Sequence, residues 1–355
     1  MTKLFSSLKI RDLEIRNRIF IAPMCQYSCE HKDGMPSDWH MVHYGSRAVG
    51  GAGLVIVEAT SISPEGRISP WDTGIWNDNQ VEAWKKVTDV IRSHGAKSAI
   101  QIAHAGRKAS IHRATSGVNS ISIEDGGWQT VSPTDEAFTD YEAPRKLETE
   151  EVREIVKDWQ RAAARAVAAG FDAIEIHAAH GYLIHQFLSP ITNRRDDEYG
   201  GSLENRARFL LEIVKAIRQV ISESMPLFIR FSATDYREDG WDIEQTKTVS
   251  AWCAELGVDL FDISSGGLVT GVKIPLGPGY QVPLAMGVAA AVSQPVSAVG
   301  AITDAKQAEA ILQDGIDVIS IGRVALLDPY WPIHAAHELG DTQELPFQYQ
   351  RGVFS

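Results

Sequence analysis

A (β/α)8 barrel, the TIM-barrel class, capped by an N-terminal β-hairpin, is the fold that the 355-residue sequence predicts. Three observations predict it. Short apolar runs rich in strand formers alternate with longer helical patterns from one end of the chain to the other. Several of those runs are apolar at consecutive positions, the pattern of parallel strands covered on both faces. One joint recurs before strands (helix end, Gly, apolar residue, Asp), in Gly170-Phe171-Asp172, Gly257-Val258-Asp259 and Gly315-Ile316-Asp317.

The strands are expected at Arg18–Pro23, Gly53–Thr60, Ser98–His104, Ala173–His177, Leu227–Ser232, Leu260–Ser264, Val296–Val299 and Val318–Ile321. Helices are expected at Val152–Ala169, closed by Gly170 at a natural C′ position, and at Leu203–Ile221, which stops before Pro226. A third runs over Asp304–Gln313, with Thr303 as its N-cap. Lys9–Ile15 alternates polar and apolar residues around Asp12 and predicts a hairpin that closes the barrel bottom. The Gly/Ser-rich segment Thr115–Asp135 reads as an excursion after the third strand, and Pro275–Pro283 as a loop after the sixth. No linker divides the chain, so one domain over 1–355 is expected, with 1–17 as the hairpin cap.

Hydrophobic residues make up 44% and charged residues 23%, which excludes a disordered chain. The net charge is −12 and no Lys/Arg block forms a stripe, so no nucleic-acid partner is expected. No stretch approaches the ~20 apolar residues of a membrane span, and the N-terminus lacks an apolar secretion core. Cys25, Cys29 and Cys253 cannot all pair within one chain. Reduced thiols and a cytoplasmic location follow as expectations.

In a barrel of this class the site forms where strands end. Gly300 and Gly322-Arg323 follow strands seven and eight, where loops cradle a phosphate; glycine also simply permits a tight turn. Gln101 and Arg230, near strand ends, suit the polar edge of a flavin, or a core amide and a buried ion pair. His177 and His180 straddle the end of strand four. They would grip a carbonyl oxygen, ligate zinc with His104 as third ligand, or serve as core histidines. Tyr182, two residues on, becomes a proton donor if the first of these holds. Cys25, after strand one, would tune a flavin or act as a sensor thiol. His40 and His43 share a helix face and read as structural. Gly51-Ala52-Gly53 precedes a strand, so there is no dinucleotide fingerprint, and neither a P-loop nor a G-x-S-x-G elbow occurs.

Ordered motifs run through the whole chain. They include Asn17-Arg18-Ile19, Pro23-Met24-Cys25-Gln26-Tyr27 and Gln101-Ile102-Ala103-His104-Ala105-Gly106-Arg107-Lys108. Glu175-Ile176-His177-Ala178-Ala179-His180-Gly181-Tyr182-Leu183, Asp197-Glu198-Tyr199-Gly200-Gly201-Ser202 and Ile321-Gly322-Arg323 follow. On these motifs the sequence resembles the old yellow enzymes, in particular the bacterial branch of NADPH dehydrogenases and xenobiotic reductases. The resemblance implies a bound FMN, with NADPH or NADH as a transient hydride donor. It implies a ping-pong ene-reductase acting on activated alkenes: enals, enones, imides or nitro compounds.

It also implies roles. Ala22, Pro23, Met24 and Cys25 line the flavin; Ala59, Gln101 and Arg230 bind its ring system; Gly300, Gly322 and Arg323 hold its phosphate. His177 and His180 anchor the substrate oxygen, Tyr182 donates the proton, and Tyr27 is a second substrate contact. Arg351, in Gln348-Tyr349-Gln350-Arg351-Gly352, reaches a neighbouring subunit's site, so 341–355 is expected at an interface in a homodimer or dimer-built homotetramer. Thr115–Gly127 departs from the pattern, being longer than in compact members.

Overall fold

Apolar residues at consecutive positions need cover on both sides of a strand, and a closed sheet wrapped by helices gives it. The computed structural model describes residues 1–113 and 120–352. Twelve strands occur among them: β1 Leu8–Ile10, β2 Leu13–Ile15, β3 Ile19–Ile21, β4 Leu54–Ser61, β5 Lys97–Ala103, β6 Val131–Ser132, β7 Arg145–Lys146, β8 Ala173–Ala178, β9 Leu227–Ser232, β10 Leu260–Ser264, β11 Val296–Ala298 and β12 Val318–Ile321. The eight strands β3, β4, β5, β8, β9, β10, β11 and β12 close in that order into a parallel barrel. This is the predicted (β/α)8 fold, and each barrel strand lies within a predicted run or overlaps it.

The principal helices are α1 Asp38–Val49, α2 Asp78–Ser93, α3 Thr149–Ala168, α4 Leu183–Leu188, α5 Leu203–Arg218, α6 Ile243–Glu255, α7 Val282–Ala289, α8 Ala305–Gln313, α9 Arg323–Leu327 and α10 Trp331–Glu338. Their inner faces bury Trp84, Trp159, Phe209 and Ile213 against the outside of the barrel. No helix among the described residues is long and apolar enough to cross a membrane.

The hairpin is where the alternation placed it. β1 and β2 pair antiparallel with Leu8 opposite Ile15 and Ile10 opposite Leu13. Those four side chains form one buried cluster with Phe20, Leu54, Ala99, Phe228 and Val318 from the strand beginnings, so the hairpin is the floor of the barrel.

The recurring Gly-X-Asp joint has a physical cause. Gly170, Gly257 and Gly315 take φ of 82°, 96° and 116°, a left-handed turn that suits glycine and ends the helix. The Asp that follows clamps the first residues of the adjacent strand. Asp172 Oδ2 accepts from Ser98 N (2.8 Å), Asp259 Oδ2 from Leu227 N (2.9 Å) and Asp317 Oδ2 from Val296 N (3.1 Å). Each Asp also donates its own N–H to the carbonyl of that same residue.

Several boundaries differ from expectation; the expected Pro275–Pro283 loop, for one, ends where α7 begins at Val282, with Pro283 in its first turn, where the missing N–H costs no bond. Thr303 is not the N-cap of α8: Asp304 is, its carboxylate accepting from Gln307 N at 2.8 Å, because a carboxylate satisfies that N–H better than a hydroxyl one residue too early. α3 begins at Thr149, where Glu148 and Glu151 form a capping box, rather than at Val152. α5 ends at Arg218, short of Ile221. The parallel two-residue pair β6–β7 was not anticipated, because such short strands carry no periodic signal. Of the Thr115–Asp135 excursion, residues 115–119 lie outside the described residues.

Candidate active site

Strand register sets the site. Side chains alternate along a strand, so Glu175 and His177 on β8 both point inward, one layer apart. Gln101 on β5 sits opposite Glu175, while Arg230 on β9 sits opposite His177 and also opposite Asp262 on β10. The lower layer is a buried polar cluster. Gln101 Nε2 donates to Glu175 Oε1 (2.8 Å), and Arg230 Nε lies 3.2 Å from Asp262 Oδ2. Glu175 Oε2 has no hydrogen-bond partner among the described residues and is sealed from solvent. Burial, then the nearby Asp262 charge, pushes the Glu175 carboxyl up to about 8.

Above this layer opens a cavity of about 580 Å³, within the range of ligand sites. Ala22, Pro23, Met24, Arg230, Gly300, Gly322 and Arg323 line it, with Ser264, Tyr280 and Gln281. Seven residues singled out from the sequence are thus brought to one cavity. Gly300 has φ 121°, and a Cβ there would lie 2.8 Å from the Gln281 side chain and 3.0 Å from the Tyr280 ring. The Arg323 guanidinium is exposed at the rim, with no hydrogen bond or ion pair among the described residues.

His177, His180 and Tyr182 meet next to this cavity, which His180 reaches through the lining residue Ser264. The His177 ring is 5.1 Å from that of His180 and 5.0 Å from that of Tyr182, edge to face in both pairs. His177 Nδ1 accepts from Ala179 N (3.3 Å), which leaves the proton on Nε2. His180 Nε2 lies 2.8 Å from Ser264 Oγ. Ser264 Oγ donates to Gln281 Oε1 (3.2 Å), which leaves its oxygen to accept from His180 Nε2–H. Burial, reinforced by Arg230, holds both imidazoles well below the usual histidine range, so both are neutral at neutral pH.

His180 adopts φ 61°, a costly conformation for a residue with a Cβ. It is held by its N–H donating to Ser232 Oγ (2.9 Å) and by Lys108 Nζ, which donates to the His180 and Gly267 carbonyls (2.9 Å each). Burial and the neighbouring Arg107 bring the Lys108 ammonium down to about 8. Cys25, Tyr27 and Tyr182 pack on a small cluster with Ala59 and Ala103. Burial, with Asp72 and Glu58 nearby, raises the Cys25 thiol well above its ordinary value. The three cysteines are free.

Some expectations separate from the site. His104 does not join the other two histidines: its Nδ1 accepts from Gly106 N (3.0 Å), and burial lowers it to about 4. Among the described residues no three His, Cys, Asp or Glu side chains are grouped to hold a metal ion. Arg351 is exposed in the C-terminal tail and does not line this chain's cavity.

The buried carboxylates were missed. Glu58, within β4, accepts from Gln26 N (2.8 Å) and Tyr44 Oη (2.9 Å), with His40 Nε2 at 3.2 Å. It therefore fixes the Cys25–Tyr27 turn, and His40 is structural as expected. The available signal was a charge inside an apolar run, as in Leu54-Val55-Ile56-Val57-Glu58 or Ala173-Ile174-Glu175-Ile176.

Residues 3–342 match the model of the NADH:flavin oxidoreductase / NADH oxidase family. An NADPH dehydrogenase of Listeria monocytogenes is 48% identical over 353 residues, 99% of each chain. The structure of morphinone reductase in complex with tetrahydroNAD superposes with TM-score 0.79 at 31% identity, over 98% of this chain and 93% of that one. An old yellow enzyme homologue from Zymomonas mobilis gives TM-score 0.79 at 27% identity, over 98% and 95%. With its barrel, its cavity and these likenesses together, the chain belongs to the NADH:flavin oxidoreductase / NADH oxidase family, that of the old yellow enzymes, and is a flavin-type oxidoreductase.

Proposed function

We propose that the protein binds FMN in the 580 Å³ cavity and reduces activated C=C bonds of enals, enones, imides or nitro compounds, using NADPH or NADH in a ping-pong cycle. One observation carries the reading: a cavity with phosphate-binding chemistry is flanked by two neutral imidazoles and a phenol, His180 reaching its wall at Ser264 (2.8 Å). The cavity fits the cofactor on its own chemistry. The Gly300 backbone leaves room that a side chain would fill, and Arg323 offers an unpaired cation. Arg230 engages Asp262 through Nε alone among the described residues, which leaves its remaining N–H groups for an electron-rich ring edge.

Gly300, Gly322 and Arg323 would hold the phosphate. Ala22, Pro23, Met24, Cys25, Ala59, Gln101 and Arg230 would hold the ring system. Bound there, FMN supplies a two-electron hydride acceptor and donor. His177, through Nε2–H, and the His180 imidazole bind the oxygen conjugated to the alkene and polarise it, at about 3–4 kcal/mol per donor in a dry site. Neutral imidazoles suit this role, since they donate without giving up a proton. Tyr182 delivers a proton to the α-carbon, and Tyr27 gives a second substrate contact. Burial raises the Tyr182 phenol well above its ordinary value, so it stays protonated until substrate binds. We further infer one domain over 1–355, a cytoplasmic location, and a homodimer or dimer-built homotetramer in which Arg351 enters a neighbour's site.

Anaerobic stopped flow on Tyr182→Phe tests the reading. Reduction by NADPH should keep its rate, while oxidation by an enone should slow about 100-fold or more. Equal slowing of both half-reactions would reject it.

A further inference from the structure

Giving a proton from a buried phenol leaves a phenolate that must be refilled before the next cycle. Beside Tyr182 lies a small, partly open pocket with about 10 Å³ of room for a water's centre, enough for about one molecule. Tyr182, Ala59, Ala103, Ala105 and one carboxylate, Asp72, line it.

We propose that Asp72 restores the Tyr182 proton through a single water held in that void, a deduction that rests on Tyr182 being the proton donor. The acid proton passes from the Asp72 carboxyl to the water. A proton of that water passes to the phenolate oxygen, and the Asp72 carboxylate is refilled from solvent. Charge and atoms balance, with no further reactant.

The geometry suits a reservoir. Asp72 is 2% exposed and rigidly held, accepting from Ile68 N (2.7 Å) and Ser69 Oγ (2.8 Å). Six titratable groups face it: Glu58, Arg67, Cys25, Tyr27, Cys29 and Tyr182. Burial outweighs its hydrogen bonds and, helped by Glu58, brings the carboxyl up to about 7, so it is about half protonated at neutral pH and can both take up and release a proton. Among the described residues, no other carboxylate lines the void.

The test compares first and later turnovers of the flavin-loaded enzyme. In Asp72→Asn, the first oxidation by an enone should stay within about twofold of the parent, and later turnovers should slow about tenfold. The parent's steady-state rate should fall as pH rises through about 7, and the variant's should not. Infrared spectra of the substrate-free holoenzyme should show a protonated carboxyl band titrating near neutrality that Asp72→Asn removes. Ala105→Val keeps Asp72 and fills the void, and should reproduce the slow later turnovers with the band intact.

Equal slowing of first and later turnovers in Asp72→Asn would mean a structural role and overturn the proposal. So would unchanged later turnovers in both variants. Tyr182→Phe separates the two ideas. If it leaves the first turnover fast, the donor assignment falls and the reservoir with it. If it slows the first turnover while Asp72→Asn behaves as the parent, the reservoir alone falls.

Discussion

Glu175→Gln should make the protein more stable, and increasingly so as pH rises. In the folded chain the Glu175 carboxyl is pushed from its ordinary 4.5 up to about 8, chiefly by burial. The folded state therefore holds this proton more tightly than the unfolded state, and loses stability as pH rises from about 4.5 through about 8. At about 1.4 kcal/mol per pH unit, the full penalty is roughly 5 kcal/mol, of which about 2.5 kcal/mol accrues between about pH 6 and about pH 9. Gln keeps the shape and the oxygen that accepts from Gln101 Nε2, and removes the charge. Urea unfolding followed by tryptophan fluorescence at the two pH values gives the difference. Equal pH slopes in parent and variant would refute the assignment of the buried proton to Glu175. So would a variant less stable at both pH values.

Three further outcomes follow from the packing and the site. Trp84→Ala removes a fully buried ring whose Nε1 donates to the Gly74 carbonyl (3.0 Å); it should cost about 3–5 kcal/mol in urea unfolding. Gly181→Ala should strain the His180–Tyr182 turn by about 1–3 kcal/mol, since φ is 75° and a Cβ would lie 2.4 Å from the Gly267 carbonyl oxygen. Its expected sign is enone reduction lost with flavin content kept. Arg323→Ala should weaken FMN binding about tenfold in a flavin-fluorescence titration, the size of one charge-assisted phosphate contact.

The barrel was legible because both-face burial writes itself into sequence as consecutive apolar residues. The floor hairpin was legible because Leu8, Ile10, Leu13 and Ile15 alternate with Lys9 and Glu14. Gly300, Gly322, Arg230 and the 177–182 segment could be placed near the mouth because position in the C-terminal half of a strand or just after it fixes it. Spacing could not tell which imidazole nitrogen carries a proton, since that depends on Ala179 N and Ser264 Oγ. Nor could it find the Glu58 and Glu175 carboxylates as partners, because Gln26, Tyr44 and Gln101 reach them only through tertiary packing. The fate of His104 was likewise decided by a local turn, at Gly106, that no spacing rule encodes.

The three aspartate clamps sit at the floor end, opposite the chemistry. Each pins a stave of the barrel to its neighbour before either stave reaches the rim. Registration is thus settled at one end and reactivity is arranged at the other. Rim loops such as the one after β5 are free to lengthen, shrink or change composition without sliding the staves. A lineage built on this plan can retune what it accepts as substrate while leaving its carpentry alone.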